Sequence, residues 1–435
     1  MTKTYWDESV ESLSRSELDA LQLHRLRQMV ERVSKFSFYR DIFSKNRINP
    51  SLIASLQDVR KLPFTTKQHL RDQYPYGFLC VPKDQLVRLH VSSGTTGQAT
   101  AIFYSHADIE TWAQLMARCM YMTGARPGDT FQNLSGYGLF TGGLGFHYGA
   151  ERLGLLTIPA GAGNSKRQIQ LMKDFDTSVM HIIPSYALVL QQIMMDTGID
   201  PRRDLKLKIA YLGAEPYSEE VRRRVEQFYG VKAYNSYGLS EMNGPGVAFE
   251  CPQQNGMHIW EDAYLAEIID PETLEPVPEG AVGELVLTTL HREAMPLIRY
   301  RTKDLTRFLP GECPCGRAHR RLDRIQGRSD DMFIIKGVNI FPIQVEQVLM
   351  NIPEVGNNYV IILRRENNID SMTVRVEVSD RVFVEDMRKL QQLQKKIAHE
   401  LRGELLVTPQ VELVEPNSLP KSEGKAVRLL DQRGD

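Results

Sequence analysis

The sequence has no long apolar run, and its charges of opposite sign nearly cancel. No stretch reaches the about eighteen apolar residues of a membrane-spanning helix, and the opening MTKTYWDESVES lacks the apolar core of a signal peptide. The 53 basic and 54 acidic residues are interspersed and give a formal net charge of −1, without the single-sign field of nucleic-acid or membrane-surface binders. We therefore expect a cytoplasmic protein that acts on small molecules.

Cysteine is scarce, with five residues in a chain of 435, which is too few for a disulfide framework. Three of the five fall in two short groups, Cys251 and Cys313-Pro314-Cys315. Three thiolates and one imidazole form the closed tetrahedral ligand set of a structural zinc ion. We predict zinc bound by Cys251, His258, Cys313 and Cys315. His319 is a rival for the histidine position, and three free thiols are the alternative to any metal.

The N-terminal region contains a helix-start signal. Ser14 and Glu17 have the spacing of a capping box, in which each side chain accepts a hydrogen bond from the other residue's backbone amide. The apolar residues that follow at approximately helical spacing predict a docking or interface helix. These residues are Leu18, Leu21, Leu26, Met29, Val30 and Val33.

The chain is longer than one hydrophobic core usually serves, which predicts a large and a small domain. From about Val87 to Thr306, short apolar runs alternate with amphipathic stretches and glycine-rich turns, as in α/β proteins. After Gly327 the sequence becomes polar, and two strand patterns near 359–364 and 372–378 precede a helix near 384–400. We expect an α/β fold with a large N-terminal domain over 1–329, helical over 1–80, and a small α+β domain over 330–435.

The segment Ser92–Gly97 is the most informative in the chain. Its two glycines among four hydroxyl residues allow a tight turn whose amides and hydroxyls can surround phosphate oxygens. It differs from the P-loop of common NTPases, because Gln98 stands where that motif has lysine. We predict a phosphate-binding loop made of Ser92, Ser93, Gly94, Thr95, Thr96 and Gly97. A flexible surface turn is the alternative.

Two further segments are compatible with nucleotide binding. The segment 237–241 follows an apolar run, and it offers Tyr237 for stacking on a purine and Glu241 for magnesium. The segment 299–304 ends in Asp304, whose carboxylate can accept ribose hydroxyls as carboxylates do in other nucleotide sites. Each segment alone also has a structural explanation, namely an ordinary turn or a surface ion pair.

These three segments, with Gly213-Ala214-Glu215-Pro216 between the first two, resemble the adenylate-forming superfamily of acyl-CoA synthetases, adenylation domains and luciferases. Within it the sequence is most similar to the phenylacetate-CoA ligase family, over nearly the whole chain. The segments that carry the resemblance are Gly136–Gly145, Gly327–Met332, Lys336–Pro342 and Ser422–Arg428. Two positions depart from the pattern, since Ala99 replaces a proline and Ser240 a threonine, and neither removes a functional group that the chemistry requires.

The resemblance implies ATP-dependent ligation of an aryl acid, most simply phenylacetate, to coenzyme A through an acyl adenylate, with release of AMP and pyrophosphate. It implies that Lys425 contacts the acid and the phosphate, that Glu241 coordinates Mg²⁺, and that a mobile C-terminal domain rotates about Asp330. Beyond the phosphate loop, the implied nucleotide-binding residues are Gly213, Ala214, Glu215, Pro216, Asn235, Ser236, Tyr237, Gly238, Ser240, Asp304 and Arg328. The candidate acid pocket is lined by Tyr137, Phe140, Phe146, Ile183 and Pro184, with Gly213 and Ala214.

Other functions fit the same sequence. An adenylation enzyme could load a separate carrier protein, and a zinc-stabilised interaction protein could use an inactive ligase scaffold. The presence of Lys425, Glu241 and Asp304 argues against the inactive scaffold. We also expect a homodimer. The aryl acid is not determined by the sequence, because one methylene changes discrimination by only about 10- to 200-fold.

Overall fold

Helices and strands alternate from about residue 101 to residue 239, as the sequence pattern predicts. The described residues 244–306 form antiparallel strands instead, and the predicted crossover helices do not occur there. The computed structural model describes residues 4–49, 53–91, 99–139, 141–335, 338–366, 369–379, 387–420 and 427–433. The α-helices in this part of the chain are α1 (Glu8–Glu11), α2 (Arg15–Val33), α3 (Ser37–Lys45), α4 (Lys67–Asp72), α5 (His106–Met122), α6 (Gly142–Leu153), α7 (Ser165–Asp174), α8 (Pro184–Asp196), α9 (Pro201–Asp204), α10 (Glu219–Tyr229), α11 (Pro342–Met350) and α12 (Met387–Leu405). Short 3₁₀ helices cover Leu56–Lys61, Lys83–Gln85 and Ser240–Met242. None of the described helices combines the length and the apolar character needed to cross a membrane.

The strands are distributed over five sheets in the described residues. They are β1 (Leu86–Val91), β2 (Ala101–Ser105), β3 (Thr130–Asn133), β4 (Leu156–Ile158), β5 (Val179–Ile182), β6 (Ile209–Gly213), β7 (Lys232–Leu239), β8 (Gly244–Glu250), β9 (Met257–Ile259), β10 (Tyr264–Ile269), β11 (Gly283–Thr289), β12 (Tyr300–Thr306), β13 (Phe308–Leu309), β14 (Arg321–Leu322), β15 (Gly327–Arg328), β16 (Phe333–Ile335), β17 (Val338–Ile340), β18 (Val355–Glu366), β19 (Ile369–Val378), β20 (Gln410–Val414) and β21 (Leu429–Asp431). The largest sheet has the order β13-β14-β9-β8-β7-β6-β5-β3-β4.

The largest sheet changes character at β7. From β4 to β7 neighbouring strands are parallel, and β5 and β6 are buried over their full length, as expected of strands covered on both faces. From β7 onward the strands are antiparallel. Ligands of open α/β sheets bind at the carboxyl ends of parallel strands, which here are the ends of β6 and β7.

Smaller sheets flank this edge. An antiparallel sheet of order β10-β11-β12-β15 holds Asp304 on β12 opposite Arg328 on β15. The C-terminal part contains the hairpin β16-β17 and a mixed sheet of order β20-β19-β18-β21, together with α11 and α12. The predicted strands near 359–364 and 372–378 are therefore confirmed, and β18 and β19 are longer than predicted.

One apolar cluster continues from the large sheet into the C-terminal part. It contains Tyr186 and Val225 from the large sheet's helices, and Ile335, Val345 and Tyr359 from the C-terminal elements. The predicted α/β fold with a small α+β C-terminal part is confirmed. The boundary drawn between residues 329 and 330 stays a prediction.

Helix α2 begins as the sequence predicts. Glu17 accepts a hydrogen bond from the Ser14 amide at 2.8 Å, and Ser14 Oγ accepts one from the Glu17 amide at 3.4 Å. The buried face differs at one position, since Gln22 is buried and Leu21 is only half-buried. Gln22 is accommodated because its Nε2 donates to the carbonyl oxygen of Tyr264 at 3.0 Å.

Candidate active site

The carboxyl ends of β6 and β7 form a tight backbone surface. Gly213 lies opposite Ser236 in the parallel pairing, and a Cβ on Gly213 would lie 2.6 Å from the Ser236 carbonyl oxygen, so only glycine fits. Ala214 follows with a left-handed φ of 72°. The Glu215 carboxylate accepts a hydrogen bond from the Ser185 amide at 2.7 Å, at the start of α8. The segment predicted to face adenine thus lies directly beside the segment that holds Tyr237.

The predicted purine and ribose residues meet in one hydrogen-bonded network. The Tyr237 hydroxyl donates to Asp304 Oδ2 at 2.5 Å, and Arg328 Nη1 donates to Asp304 Oδ1 at 3.2 Å. Burial raises the pKa of Asp304 to about 6, although Arg328 opposes this shift. A carboxylate has about four lone-pair positions, so Asp304 can still accept hydroxyl groups of a ligand.

Glu241 lies beside this network in the 3₁₀ turn after β7, and it is buried. Its backbone carbonyl accepts a hydrogen bond from Arg292. The Tyr300 hydroxyl donates a hydrogen bond to the Glu241 carboxylate. Burial and this hydrogen bond raise the pKa of Tyr300 well above its usual range. Ser240 Oγ lies 3.2 Å from Thr141 Oγ1. The role of Glu241 as a magnesium ligand stays a prediction.

The candidate acid-pocket residues occupy different environments. Tyr137 is half-buried, and its hydroxyl lies 3.2 Å from His147 Nδ1. Phe146 is fully buried and stacks on His181 with 3.8 Å between ring centroids, so its ring is part of the aromatic core. Ile183 and Pro184 are buried at the start of α8. The pocket assignment stays a prediction for all of these residues.

Arg328 also connects the network to the predicted hinge. Its Nε and Nη2 donate to the two carboxylate oxygens of Asp330 at 2.8 and 3.0 Å. The Arg328–Asp330 ion pair is largely exposed. It lies at the end of β15, the strand that pairs with β12 at Asp304. The same guanidinium group therefore contacts both the candidate ribose carboxylate and the candidate hinge residue.

Several predicted site residues lie outside the described residues. They are Ser92, Ser93, Gly94, Thr95, Thr96, Gly97, Phe140 and Lys425. Their roles stay predictions from the sequence. Among the described residues, the sequence analysis did not single out Tyr300 or Thr141. Tyr300 lies inside the segment 299–304, which ends in the predicted ribose ligand Asp304. This proximity in the sequence was the signal that could have identified Tyr300.

Comparisons with known proteins agree with this arrangement. A family model described as "AMP-binding enzyme" matches residues 41–291, and one described as "AMP-binding enzyme C-terminal domain" matches 337–433. The phenylacetate-coenzyme A ligases of Thermus thermophilus and Pseudomonas putida are 45% and 44% identical to the chain, over 98% of its length and 98% and 97% of theirs. The chain belongs to the phenylacetate-CoA ligase family of AMP-binding enzymes.

Solved structures of a related ligase resemble the chain over nearly its whole length. The chain has a TM-score of 0.94 with 2-hydroxyisobutyryl-CoA ligase in its postadenylation state in complex with 2-HIB-AMP, at 33% identity over 99% of this chain and 93% of that chain. The TM-score falls to 0.74 against the same ligase with CoA in the thioesterification state. The chain therefore superposes better on the postadenylation state of that ligase than on its thioesterification state.

The predicted zinc ligands converge in a second cluster of the large domain. Cys251 Sγ lies 3.6 Å from Cys313 Sγ, and Cys315 Sγ lies 3.2 Å from His258 Nε2. All four ligand atoms lie within 4.8 Å of one another. Zinc–sulfur bonds of about 2.3 Å in a tetrahedron place two sulfurs about 3.8 Å apart, which matches the observed spacing.

The rings of the two candidate histidines are oriented differently. Its Nδ1 lies 2.8 Å from the His319 carbonyl oxygen, so the N–H donates there and Nε2 faces the thiols. The His319 ring points elsewhere, because its Nδ1 accepts from the Glu261 amide at 3.1 Å and its Nε2 lies 3.3 Å from the Val10 carbonyl. The geometry thus supports His258 as the fourth ligand.

Proposed function

We propose that this protein joins an aryl acid, most simply phenylacetate, to free coenzyme A through an acyl adenylate. Membership of the phenylacetate-CoA ligase family makes it an AMP-forming acid–thiol ligase that consumes ATP. The observation that carries the proposal is the similarity to phenylacetate-coenzyme A ligases over 98% of the chain. The proposal is also supported by the hydrogen-bonded network of Tyr237, Asp304 and Arg328, which lies at the carboxyl end of β7.

In this proposal the nucleotide lies across the ends of β6 and β7. The ribose hydroxyls donate to the Asp304 carboxylate, whose position is fixed by Tyr237 and Arg328. The adenine lies between the backbone of 213–215 and the Tyr237 ring. The phosphates lie against Ser92–Gly97, whose amides can donate to anionic oxygens.

Glu241 would hold Mg²⁺ in this arrangement. The residue fits this ion, because Mg²⁺ prefers oxygen ligands and Glu241 offers a buried carboxylate in the turn after β7. When bound, the ion would neutralise charge on the phosphate oxygens. The chain's own residues position the reactants, and positioning with charge stabilisation supplies most of the acceleration in phosphoryl transfer.

The chemistry then takes place in two steps. A carboxylate oxygen of the acid forms a bond to the α-phosphorus of ATP, and pyrophosphate leaves. Lys425 would stabilise the negative charge shared by the acid and the phosphate in this step. In the second step the thiolate of coenzyme A attacks the acyl carbon, the carbon–oxygen bond to the phosphate breaks, and AMP leaves. The proton of the thiol goes to solvent.

We further propose that Cys251, His258, Cys313 and Cys315 bind a structural zinc ion. Their spacing suits a tetrahedral site, and four protein ligands leave no open position for substrate. The ion would join the end of β8 and strand β9 to the loop before β14. Cytoplasmic location and a homodimer stay predictions from the sequence, and the dimer can be tested by sedimentation.

The experiment that tests the proposed function is an acid-dependent pyrophosphate-release screen. Phenylacetate, a hydroxyphenylacetate, indoleacetate, benzoate and 2-hydroxyisobutyrate are compared, with free coenzyme A, with a phosphopantetheinylated carrier protein, and with neither. We expect the highest kcat/KM with phenylacetate and thioester only with free coenzyme A. A preference for the aliphatic acid, or thioester only on the carrier, would contradict the proposal.

A further inference from the structure

Two hydrogen bonds join helix α11 of the C-terminal part to α10 of the large domain, one at the N-cap of α10 and one from a side chain within it. Glu346 Oε1 accepts a hydrogen bond from the Ser218 amide at 2.9 Å. Arg224 Nη2 donates to the Met350 carbonyl oxygen at 2.6 Å, at the last residue of α11. Both contacts cross between the two parts of the chain, and they fix how α11 lies on α10.

Glu346 is the only charged residue of α11, and it is 6% exposed. A buried carboxylate costs free energy unless it is paired or hydrogen-bonded. Here the Ser218 amide belongs to the N-cap residue of α10, where the helix dipole favours a negative charge. The Tyr359 hydroxyl donates to the other oxygen, Glu346 Oε2, at 3.2 Å. The carboxylate therefore has one donor from each part of the molecule.

The network continues from Tyr359 to Arg428. The Arg428 guanidinium lies 4.4 Å from the centroid of the Tyr359 ring, and its Nη1 donates to the Tyr359 carbonyl at 3.1 Å. The Ile361 amide donates to the Arg428 carbonyl at 2.8 Å, where β21 joins β18. In the sequence Arg428 follows Lys425 by three residues, and Ser218 follows Pro216 by two.

We propose that Glu346 is a positioning residue for the adenylation half-reaction. Glu346 accepts hydrogen bonds from Ser218, which follows the segment 213–216, and from Tyr359, whose ring contacts Arg428 three residues after Lys425. Through these contacts it holds the C-terminal part in the position in which Lys425 can act. This inference rests on the proposed function, because it requires the assigned role of Lys425. The TM-score is 0.94 against the postadenylation state and 0.74 against the thioesterification state, so the whole chain superposes less well on the latter. In this proposal the Glu346–Ser218 bond forms in the adenylation arrangement and is broken in the thioesterification arrangement.

The test measures the two half-reactions separately in the full-length protein. Adenylation is followed by phenylacetate-dependent exchange of pyrophosphate into ATP, and thioester formation by supplying phenylacetyl adenylate and coenzyme A. Glu346→Ala should lower the kcat of adenylation by about 10- to 100-fold, as expected for loss of a hydrogen bond to a charged group. Thioester formation should stay within about twofold.

Three further variants separate positioning from general damage. Glu346→Gln should stay within about threefold of wild type, because its amide oxygen can still accept from the Ser218 amide. Tyr359→Phe removes only a hydroxyl and should lower adenylation by about 3- to 10-fold. Glu400→Gln, at an exposed position of α12, is the matched control and should change neither half-reaction.

Equal losses in both half-reactions, or unchanged adenylation in Glu346→Ala, would overturn the inference. If Glu346→Ala does not fold, Tyr359→Phe decides, and unchanged adenylation in that variant would overturn it. Wild-type protein that adenylates no aryl acid would overturn the proposed function itself. Active wild-type protein with an unaffected Glu346→Ala variant would overturn only the role of Glu346.

Discussion

At the scale of single residues, Asp304 combines two features that normally oppose each other. It is buried, which favours its protonated form, yet the proposed contact with two ribose hydroxyls requires acceptor oxygens. Tyr237 and Arg328 resolve this conflict by donating one hydrogen bond to each of its oxygens. The carboxylate is thus positioned before a ligand arrives, and its charge depends on pH in an accessible range.

The affinity for ATP should therefore depend on Asp304 at acidic pH. Because burial raises its pKa to about 6, Asp304 becomes protonated as the pH falls through that value, and it then loses acceptor capacity. We expect the KM for ATP to rise between pH 7.5 and 5 in wild type, with little change in the KM for phenylacetate. Asp304→Asn should have a higher KM for ATP at pH 7.5 and a flatter profile. The same pH dependence in both proteins would exclude this role.

Lys425 gives a second prediction at this scale, from the sequence alone. Lys425→Ala should reduce adenylation by about 10²- to 10³-fold, as expected when a charge that stabilises an oxyanion is removed. Thioester formation from supplied phenylacetyl adenylate should be retained, because the lysine acts only in the first step. Lys421→Ala, four residues earlier, is the control and should leave both steps unchanged. An equal loss in both steps would remove Lys425 from this role.

Candidate residues could be selected from the sequence where the chemistry needs a particular group, but their hydrogen-bond partners could not. Asp304, Glu241 and the cysteine–histidine set were selected because few side chains can bind ribose, magnesium or zinc, and their roles stay predictions. The hydrogen bond from Tyr237 to Asp304 joins residues far apart in the sequence, and it depends on how β7 approaches β12. The choice of His258 over His319 likewise required the ring orientations.

At the scale of elements, the cysteine–histidine cluster brings together the end of β8, strand β9 and the loop before β14. We expect about one zinc per chain in purified protein, and Cys313→Ser should lower both the zinc content and Tm. Substrate constants should change less than Tm, because the site has no open position for substrate. Cys80→Ser replaces a buried thiol outside the cluster and should retain the zinc. Metal-free protein with full activity and unchanged Tm would exclude the site.

The segment between β15 and β16 gives a second element-scale prediction. Asp330→Pro fixes φ near −65° and also removes the ion pair with Arg328, whereas Asp330→Ala removes the ion pair alone. We expect the proline variant to keep adenylation and to lose most thioester formation. The alanine variant should keep both half-reactions within a few fold, because the pair is largely exposed. Normal thioester turnover in Asp330→Pro would exclude Asp330 as the hinge.

Element types were more predictable than their ends. The Ser14–Glu17 capping box specified the start of α2, because both partners lie within one turn. The extra residues of β18 and β19 have no such local signal, since they are stabilised by pairing between these two strands. Gln22 occupies a core position of α2 only because the Tyr264 carbonyl lies within reach.

At the scale of the whole molecule, the chain length and the change to a more polar composition after Gly327 predicted a large α/β part and a small α+β part. The sequence did not predict the order of the nine-stranded sheet or the switch from parallel to antiparallel pairing at β7. Strand order depends on contacts between distant segments, which local patterns do not record. The same holds for the apolar cluster that continues into the C-terminal part.

The central claim is that the two parts together convert phenylacetate, ATP and free coenzyme A into a thioester. Its most direct test is mass spectrometry of the products of one reaction, with AMP and pyrophosphate quantified in the same sample. The account predicts phenylacetyl-CoA, AMP and pyrophosphate in equal amounts, and phenylacetyl adenylate without the thioester when coenzyme A is left out. ADP and phosphate as the nucleotide products, or no phenylacetyl-CoA from a protein that hydrolyses ATP, would contradict it.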